Sequence, residues 1–444
     1  SAAALELAAA GAEVTLVRAG PGATALGWGT LDLAAASPLR RGGLPLRDAP
    51  DGPPLAPLRR LERAALAQGS AAAARHPYAI LWPARDPEPE IREAVAALDA
   101  WLAPAGLRVT GDPARTRWLA DVHGALRAAD LAFSGAGEGA LEDAPEIVLV
   151  ELPGLAGYEA RAALRTLAAE LAAVDGEGRR LQLGRLELPP PLRALAATPA
   201  RLARALEDPA AQQVLAPALA ALGGPERLVL FPPVLGLDGA AQVAAWARAA
   251  AGGRVAELVG SPALALAGFR LDRALQAALA RAGVERRAAR ALSIEWRAGR
   301  AAALGLAAHD GEERLAFDAL VLASGRFVGG GVADGEGGLR EPLLGLPLYD
   351  LGGRRVDGIA PRRLVRRDYE GEQPLFSAGV RADARLRPLA ADGTPLANVF
   401  AAGDLLGGFD PARERTGLGV ALLTGRRAGR EACRTHAAPG RAAS

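Results

Sequence analysis

A carboxylate and a group of glycines near the C-terminus of this 444-residue chain have the types and spacing to bind a polyhydroxylated ligand. Residues 398–402 (NVFAA) form a short apolar run bounded by turn residues, which predicts a buried strand. Gly403 and Asp404 follow this run directly, and Gly407 and Gly408 come next. Ligands of open α/β sheets bind at this carboxyl edge of the strands. The carboxylate of Asp404 could accept hydrogen bonds from ligand hydroxyl groups there.

A helix is predicted directly after the glycine loop, over residues 417–434. Thr416 is its expected N-cap and Gly417 its first residue. The free N–H groups and the positive dipole end of such a helix favour an anion. Together these features predict a site for a polyol and an anion. An ordinary strand–helix turn with a solvated acid remains the alternative.

The same stretch resembles the second flavin motif of two-dinucleotide-fold flavoproteins, T-x5-F-A-x-G-D. Thr394, Phe400, Gly403 and Asp404 stand in the register of that motif. The resemblance implies that Asp404 binds the ribityl chain of a flavin.

A second segment resembles another part of the same flavoproteins. Residues 317–324 (FDALVLAS) read as a buried strand, similar to the A-T-G-type strand of that family, with Ser324 in place of Thr. Gly325 and a run of three glycines at residues 329–331 follow. The resemblance implies that this strand returns the chain to the flavin domain beside the cofactor.

The N-terminal residues are typical of part of a dinucleotide-binding unit. Residues 1–10 predict a helix, Gly11 ends it, and residues 13–17 (EVTLV) predict a parallel strand. Helix, glycine and strand correspond to the second half of a βαβ unit. The first strand and its glycine-rich phosphate turn are therefore expected directly before Ser1, so we interpret the sequence as a fragment cut after that turn.

The residue that ends this strand bears on the identity of the flavin. Dinucleotide-binding proteins usually carry an acid there for the adenosine ribose, whereas this chain has Arg18. Arginine cannot accept hydrogen bonds from ribose hydroxyls but can pair with a phosphate. This favours FMN, with FAD as the alternative. In the following loop, Gly27 and Gly29 would let the backbone approach a flat ring, with Thr30 beside it. A plain surface loop is the other interpretation.

Composition limits the classes of function. Half of the residues are hydrophobic, so the chain can bury a large core and is expected to form two domains. The net charge of +2 predicts no nucleic-acid binding. Cys433 is the single cysteine, so an iron–sulphur cluster is not expected in this chain, nor is a metal site. No apolar run approaches the ~20 residues that cross a bilayer.

The expected fold class is α/β. A FAD/NAD(P)-type dinucleotide-binding flavin domain, a parallel sheet with helices, would carry an inserted α/β cap domain. Residues 37–57, rich in Pro, Gly and Arg, mark the exit from the first domain, and strands alternate with helices in the middle of the chain. We therefore assign residues 1–45 and 262–444 to the flavin domain. Residues 46–261 form the cap, for substrate binding or for interaction.

Several longer segments resemble the B subunit of anaerobic glycerol-3-phosphate dehydrogenase. They are LDLAAA near the start, HPYAIL, GFRLD, VLASGRFVGGGV, GLREPLLGLPL and NVFAAGDLLGGFDP, spread over almost the whole chain, and REPLLGL and AAGDLLGGFDP are the most specific. The resemblance implies an FMN-binding subunit of a complex that oxidises sn-glycerol 3-phosphate to dihydroxyacetone phosphate. The implied partners are a homologous flavoprotein catalytic subunit and an iron–sulphur membrane-anchor subunit that passes electrons to quinone. The implied location is cytoplasmic, at the inner face of the cell membrane.

Four residues are candidates for binding the substrate phosphate or for catalysis. Arg270, Arg326 and Arg340 are candidates to bind the substrate phosphate, and His76 is a candidate catalytic side chain. No residue is identified as the proton-accepting base. Two alternatives therefore remain open, a non-catalytic electron-relay or scaffold subunit and a flavin-dependent dehydrogenase of another hydroxy acid.

Overall fold

The structure, a computed structural model, describes residues 1–33, 76–82, 86–113, 115, 117–142, 144–175, 179–261, 264–308, 311–368 and 373–437. The chain divides into two compact units. Unit one comprises Ser1–Ala23, Leu58–Ala94 and Gln276–Ser444, and unit two comprises Thr24–Pro57 and Val95–Leu275. These limits depart from the predicted domain limits, and the predicted limit at residue 45, like the 37–57 stretch that suggested it, lies outside the described residues. The division into flavin and cap domains stays a prediction.

The described helices are α1 Ala2–Ala9, α2 Pro77–Leu81, α3 Glu88–Leu102, α4 Ala160–Asp175, α5 Pro190–Arg193, α6 Pro199–Ala205, α7 Pro209–Leu222, α8 Ala240–Ala251, α9 Leu266–Arg281, α10 Pro374–Ser377, α11 Pro411–Glu414 and α12 Gly417–Ala437. The strands are β1 Thr15–Val17, β2 Thr30–Leu31, β3 Val109–Gly111, β4 Arg117–Ala120, β5 Leu126–Ala129, β6 Leu131–Phe133, β7 Glu146–Glu151, β8 Arg180–Arg185, β9 Arg227–Phe231, β10 Arg254–Glu257, β11 Glu285–Arg287, β12 Ala291–Arg297, β13 Arg300–Ala308, β14 Gly311–Ala316, β15 Leu320–Leu322, β16 Ala333–Gly335, β17 Gly338–Arg340, β18 Leu348–Tyr349, β19 Gly379–Val380 and β20 Val399–Ala401.

Unit one is built around two parallel strand pairs, β1 with β11 and β15 with β20. The predicted N-terminal helix and the strand after it are confirmed, and Gly11 between them has a φ of +82°. The predicted strands at residues 317–324 and 398–402 are also confirmed, in shorter form. Parallel strands with helices are the predicted α/β class.

The C-terminal helix α12 packs closely on α1 because small residues lie at the crossing. A Cβ atom on Gly429 would lie 2.8 Å from the carbonyl oxygen of Ala3, and one on Gly425 would lie 3.1 Å from the Cβ of Ala2. Larger side chains would push the helices apart. The close approach of the two helices at Gly425 and Gly429 therefore positions the middle of α12 against α1.

Asn398, the only asparagine of the chain, joins β20 to the antiparallel sheet β12–β13–β14. Its side-chain oxygen accepts from the Ala301 amide at 3.0 Å, and its amide group donates to the carbonyls of Ala301 and Asp318 at 2.7 and 2.8 Å. The side chain is buried, and these contacts satisfy its polar atoms. They fix the start of β20, which ends two residues before Gly403.

Unit two contains a four-stranded parallel sheet in the order β10–β9–β7–β8. Strand β7, one of its two central strands, is buried on both faces and accordingly carries a continuous apolar run at residues 147–150. The predicted alternation of strands and helices in the middle of the chain is confirmed.

A buried ion pair holds the carboxyl edge of this sheet. Glu257, the last residue of β10, accepts two hydrogen bonds from Arg270 of α9, at 2.5 and 3.0 Å, and one from the Leu235 amide at 2.6 Å. Arg270 also donates from Nε to the Gly236 carbonyl at 3.0 Å. Both charged side chains are almost fully buried, with 5% and 3% exposed. Arg270 therefore links the helix to the end of β10 and to the loop that follows β9.

In the part of the chain that is described, no helix combines the length and the apolar character needed to cross a membrane.

We expect Arg270→Met to lower the free energy of unfolding by about 3–5 kcal/mol, because it leaves the Glu257 carboxylate buried without its cation. Arg273→Ala, one turn further along α9, is the matched control. Its side chain is 52% exposed and pairs with Asp238 at 2.8 Å, so a change of only ~0–1 kcal/mol is expected. Urea denaturation measures both, and equal losses in the two variants would contradict the structural role of Arg270.

Candidate functional site

Parallel pairing of β15 and β20 brings two predicted segments to one edge of the sheet. Leu322 lies opposite Ala401, and the Ala402 amide donates to the Leu322 carbonyl at 2.9 Å. The residues that follow each strand, Ser324 with Gly325 and Gly403 with Asp404, therefore lie at the same carboxyl edge.

The glycine run after β15 packs directly on Ser324 and Gly325. A Cβ atom on Gly331 would lie 2.0 Å from the Gly325 carbonyl oxygen and 2.4 Å from the Ser324 hydroxyl. A Cβ on Gly329 would lie 1.9 Å from the Ser324 carbonyl oxygen. These glycines thus allow the chain to fold back over the sheet edge, and Gly325 makes the turn with a φ of +70°.

Gly403 is held in a left-handed conformation at the start of the site. Its φ is +68°, and its amide donates to the Thr424 hydroxyl at 2.9 Å. Thr424 is fully buried on α12. No sequence pattern marks this threonine, since nothing distinguishes it from other small polar residues of a helix.

Asp404 has a buried carboxylate oxygen, Oδ1, with no hydrogen-bond partner among the described residues. Burial raises the pKa of this carboxyl group, and the positive charge of Arg326 opposes that shift. The Thr416 hydroxyl oxygen is likewise buried and unpartnered within the described part of the chain. A buried polar atom without a partner costs about 1–3 kcal/mol, and ligand hydroxyl groups could donate to both oxygens.

The start of α12 lies beside the Asp404 carboxylate. A Cβ atom on Gly417 would lie 3.5 Å from Asp404 Oδ1, in van der Waals contact with it, and the glycine leaves that position unfilled. The helix begins at Gly417 as predicted. The predicted side-chain cap is wrong, because the Thr416 hydroxyl bonds no amide of the described chain, although its carbonyl accepts from Val420 at 2.8 Å. Both the hydroxyl and the first amides of the helix are thus available to a ligand.

Arg326 holds the loop that follows Asp404. Its guanidinium donates to the carbonyls of Asp404 and Leu406 at 3.1 and 3.0 Å, to that of Phe409 at 3.4 Å, and to that of Phe376. It also stacks over the Phe409 ring, 5.2 Å from its centroid. Burial lowers its pKa, with the nearby acids opposing, but an arginine remains charged. These contacts support a structural role, and phosphate binding by Arg326 stays a prediction.

Gly407 and Gly408 are buried within the same loop. The Gly407 amide donates to the Val380 carbonyl at 2.9 Å, and a Cβ on Gly407 would lie 2.9 Å from the carbonyl oxygen of Gly379. Gly408 has a φ of +83°. In the described structure these two glycines therefore serve the folding of the loop, and cofactor contact by them stays a prediction.

His76 supports the far end of this loop. Its Nδ1 accepts from the Tyr78 amide at 3.1 Å, and its Nε2 lies 3.0 Å from a carboxylate oxygen of Glu414. The other Glu414 oxygen accepts from the Asp410 amide at 2.9 Å, and the His76 ring contacts Phe409. Nδ1 accepts a hydrogen bond, so Nε2 carries the proton. The sequence suggested His76 but missed Glu414, which no motif marks.

Two further site candidates of unit one, Arg18 and Arg340, lie at other strands than the pair β15 and β20. Arg18 follows β1, with its amide bonded to the Arg287 carbonyl at 3.0 Å and its Nε to the Gly20 carbonyl at 3.0 Å. Arg340 is exposed on β17.

Gly27, Gly29 and Thr30 belong to unit two. The loop that contains Gly27 runs against α9, where a Cβ on Gly268 would lie 2.4 Å from the Gly27 nitrogen. Gly29 has a φ of +108°. Thr30 is buried in a polar network, in which Arg127 donates to its hydroxyl at 2.9 Å and to Asp32 at 2.7 Å. No sequence motif indicates Arg127.

The arrangement around Asp404 combines a buried acceptor, an open helix start and a rigid loop. Such a set can accept hydrogen bonds from a polyol and donate hydrogen bonds to an anion. Those are the two chemical features of a flavin's ribityl phosphate, so the residues present fit a flavin. Among the described residues, no cluster of His, Cys, Asp or Glu is suited to bind a metal ion.

The chain is similar to curated proteins that carry the name of the B subunit of anaerobic glycerol-3-phosphate dehydrogenase. The one from Yersinia enterocolitica is 32% identical over 228 residues, half of each chain. The one from Pectobacterium atrosepticum is 28% identical over 447 residues, covering 95% of this chain and 92% of its own. The chain therefore spans about half the length of the first of these relatives and nearly all of the second, and the predicted resemblance to this subunit is confirmed.

A solved structure of 3-ketosteroid-delta4-(5alpha)-dehydrogenase from Rhodococcus jostii, in complex with 4-androstene-3,17-dione, aligns with a TM-score of 0.38 at 13% identity. The alignment covers 97% of this chain and 94% of that one.

The family whose description is FAD binding domain matches residues 1–420. The match extends over both compact units and includes the site around Asp404. This chain belongs to the FAD binding domain family and is a flavoprotein.

Proposed function

We propose that this chain is the flavoprotein subunit of a respiratory sn-glycerol-3-phosphate dehydrogenase. In this proposal the substrate is oxidised to dihydroxyacetone phosphate, and the electrons reach quinone through an iron–sulphur partner. The observation that carries the substrate assignment is the similarity, over 95% of the chain, to a relative named as a subunit of that dehydrogenase. The unpartnered oxygens of Asp404 and Thr416 support the flavin site.

Oxidation of the secondary alcohol removes a hydride from carbon and a proton from the hydroxyl group. A bound flavin supplies the hydride acceptor. In the proposal, the Asp404 carboxylate accepts hydrogen bonds from the ribityl hydroxyls, and the amides at the start of the Gly417 helix bind phosphate. Arg326 keeps the intervening loop in place. His76 uses both ring nitrogens for internal contacts, so it supports Glu414 and is not an open proton acceptor.

The second candidate function is an electron-relay or scaffold subunit. The burial and the internal hydrogen bonds of the arginines proposed to bind the substrate phosphate favour it. Arg270 and Arg326 are buried and donate to internal partners, whereas Arg340 is exposed. Two of the three groups proposed for the substrate phosphate are therefore committed elsewhere. In this version a homologous flavoprotein subunit oxidises the substrate. In both versions the complex lies in the cytoplasm, at the inner face of the membrane.

Anaerobic addition of sn-glycerol 3-phosphate to the isolated, flavin-loaded protein tests the proposal. Catalysis by this chain predicts bleaching of the flavin absorbance near 450 nm. The enantiomer sn-glycerol 1-phosphate is the control and should leave the spectrum unchanged. Reduction by dithionite but not by the substrate would contradict catalysis by this chain and support the relay function. Bleaching by a different hydroxy acid alone would instead indicate the third alternative, a dehydrogenase of that acid.

We expect Asp404→Ala to weaken flavin binding by about ten- to a hundredfold, because charge-assisted hydrogen bonds of ~1.5–3 kcal/mol are lost. Asp392→Ala is a suitable control, since Asp392 is an exposed turn residue of the same unit that accepts from the Thr394 amide. Flavin fluorescence quenching gives both dissociation constants. An Asp404→Ala protein that retains its flavin through dialysis as wild type does would contradict the assignment.

The identity of the flavin is the finer part of the proposal. Arg18 in place of the ribose-binding acid supports FMN, because an adenosine ribose would lose a directional contact there and a guanidinium pairs well with a terminal phosphate. The family description points instead to FAD. Acid extraction of the purified protein followed by chromatography distinguishes the two. FMN is the expected product, and recovery of FAD would refute the proposal.

A further inference from the structure

The charge of Arg326 is not neutralised by direct hydrogen bonds to carboxylates in the described structure. Each acceptor of its guanidinium is a main-chain carbonyl oxygen, on Asp404, Leu406, Phe409 or Phe376. The side chain is almost fully buried. The acceptors of this buried cation are neutral and the surrounding dielectric constant is low. Its electrostatic interaction with nearby acids is therefore stronger than it would be in water.

Among the described residues, three acids interact electrostatically with Arg326, namely Asp404, Asp410 and Glu414. Two of them have other partners. Asp410 accepts from the Arg413 amide at 3.1 Å, and Glu414 bonds His76 and the Asp410 amide. Asp404 differs, because its buried Oδ1 has no hydrogen-bond partner in the described chain. Arg326 is also the group whose charge opposes the effect of burial on Asp404.

We propose that Arg326 is a positioning residue of the flavin site: it holds the Asp404 main chain, and its buried charge beside Asp404 favours the carboxylate form that accepts hydrogen bonds from the ribityl hydroxyls. The hydrogen bonds of the Arg326 guanidinium hold the loop in place, and its positive charge favours the ionised form of the Asp404 carboxyl group. This inference rests on the proposed flavin site and deepens it.

A specific pH dependence follows from this role. The carboxylate accepts hydrogen bonds from hydroxyl groups most strongly in its ionised form, so flavin affinity is full above the pKa of Asp404 and is lost as pH falls through it. Burial raises that pKa and Arg326 counteracts the rise. Loss of the Arg326 charge therefore moves the acid-side decline in affinity to higher pH. His76, Glu414 and Asp410 face the same loop, and their titration must be separated from that of Asp404.

Two variants of the full-length protein separate charge from hydrogen bonding. Arg326→Gln and Arg326→Lys both lose the guanidinium fork, but only the first loses the charge. Titration with FMN and with FAD between about pH 5 and 8 gives the pH at which affinity has fallen by half. We expect this midpoint to rise by about one pH unit or more in Arg326→Gln and to stay near the wild-type value in Arg326→Lys. Asp404→Asn in each background should remove the midpoint, which excludes His76 and the other acids as its source.

Equal midpoints in wild type and Arg326→Gln would overturn the inference while leaving the flavin site intact, and so would an acid-side decline that persists in Asp404→Asn. Absence of flavin binding by the wild-type protein at every pH would overturn the proposed function, and this inference with it. If Arg326→Gln does not fold, Arg326→Met, which also removes the charge, takes its place. A midpoint that rises in Arg326→Met supports the role of the charge, and a midpoint equal to that of wild type overturns it.

Discussion

The parallel pairing of Leu320–Leu322 with Val399–Ala401 is the interaction that creates the candidate site. It brings together, at one sheet edge, two segments that are separated by more than seventy residues of sequence. The strand residues around Phe400 are fully buried, so hydrophobic burial holds the pair in register. The register places the residues that follow the two strands, Gly325 and Gly403 among them, at one edge of the pair.

The two units differ in whether the polar groups near the carboxyl edges of their parallel strands have internal hydrogen-bond partners. In unit two, Glu257 is bound by Arg270, and Glu207 accepts from the amides of Leu237, Asp238 and Gly239 at 2.6, 2.6 and 2.8 Å. These internal carboxylates occupy the donors at the sheet edge and before α8, where an anionic ligand could otherwise bind. In unit one, Asp404 and the start of α12 keep unpartnered oxygens among the described residues. This contrast supports a ligand site in unit one.

Much of the site could be predicted because it is coded by local sequence. A strand shortly before Gly403 and Asp404, and a helix that begins at Gly417, are visible as an apolar run and a turn signal, and both are found. The supports could not be predicted in the same way. The contacts of Arg326 with main-chain carbonyls, and of Thr424 with the Gly403 amide, join residues distant in sequence and leave no local pattern. In a chain so rich in arginine and without lysine, sequence cannot distinguish a buried Arg326 from an exposed Arg340.

The proposed flavin site extends over the loop from Gly403 to Gly417. Hydrogen–deuterium exchange of the full-length protein, with and without saturating flavin, tests this directly, because bound ligand slows the exchange of the amides that it contacts or orders. We expect slower exchange in peptides that cover residues 403–417 and the first turn of α12. The buried strand β7 of unit two should show no such change. Unchanged exchange throughout residues 403–417, with protection by flavin confined to other segments, would contradict flavin binding by this loop.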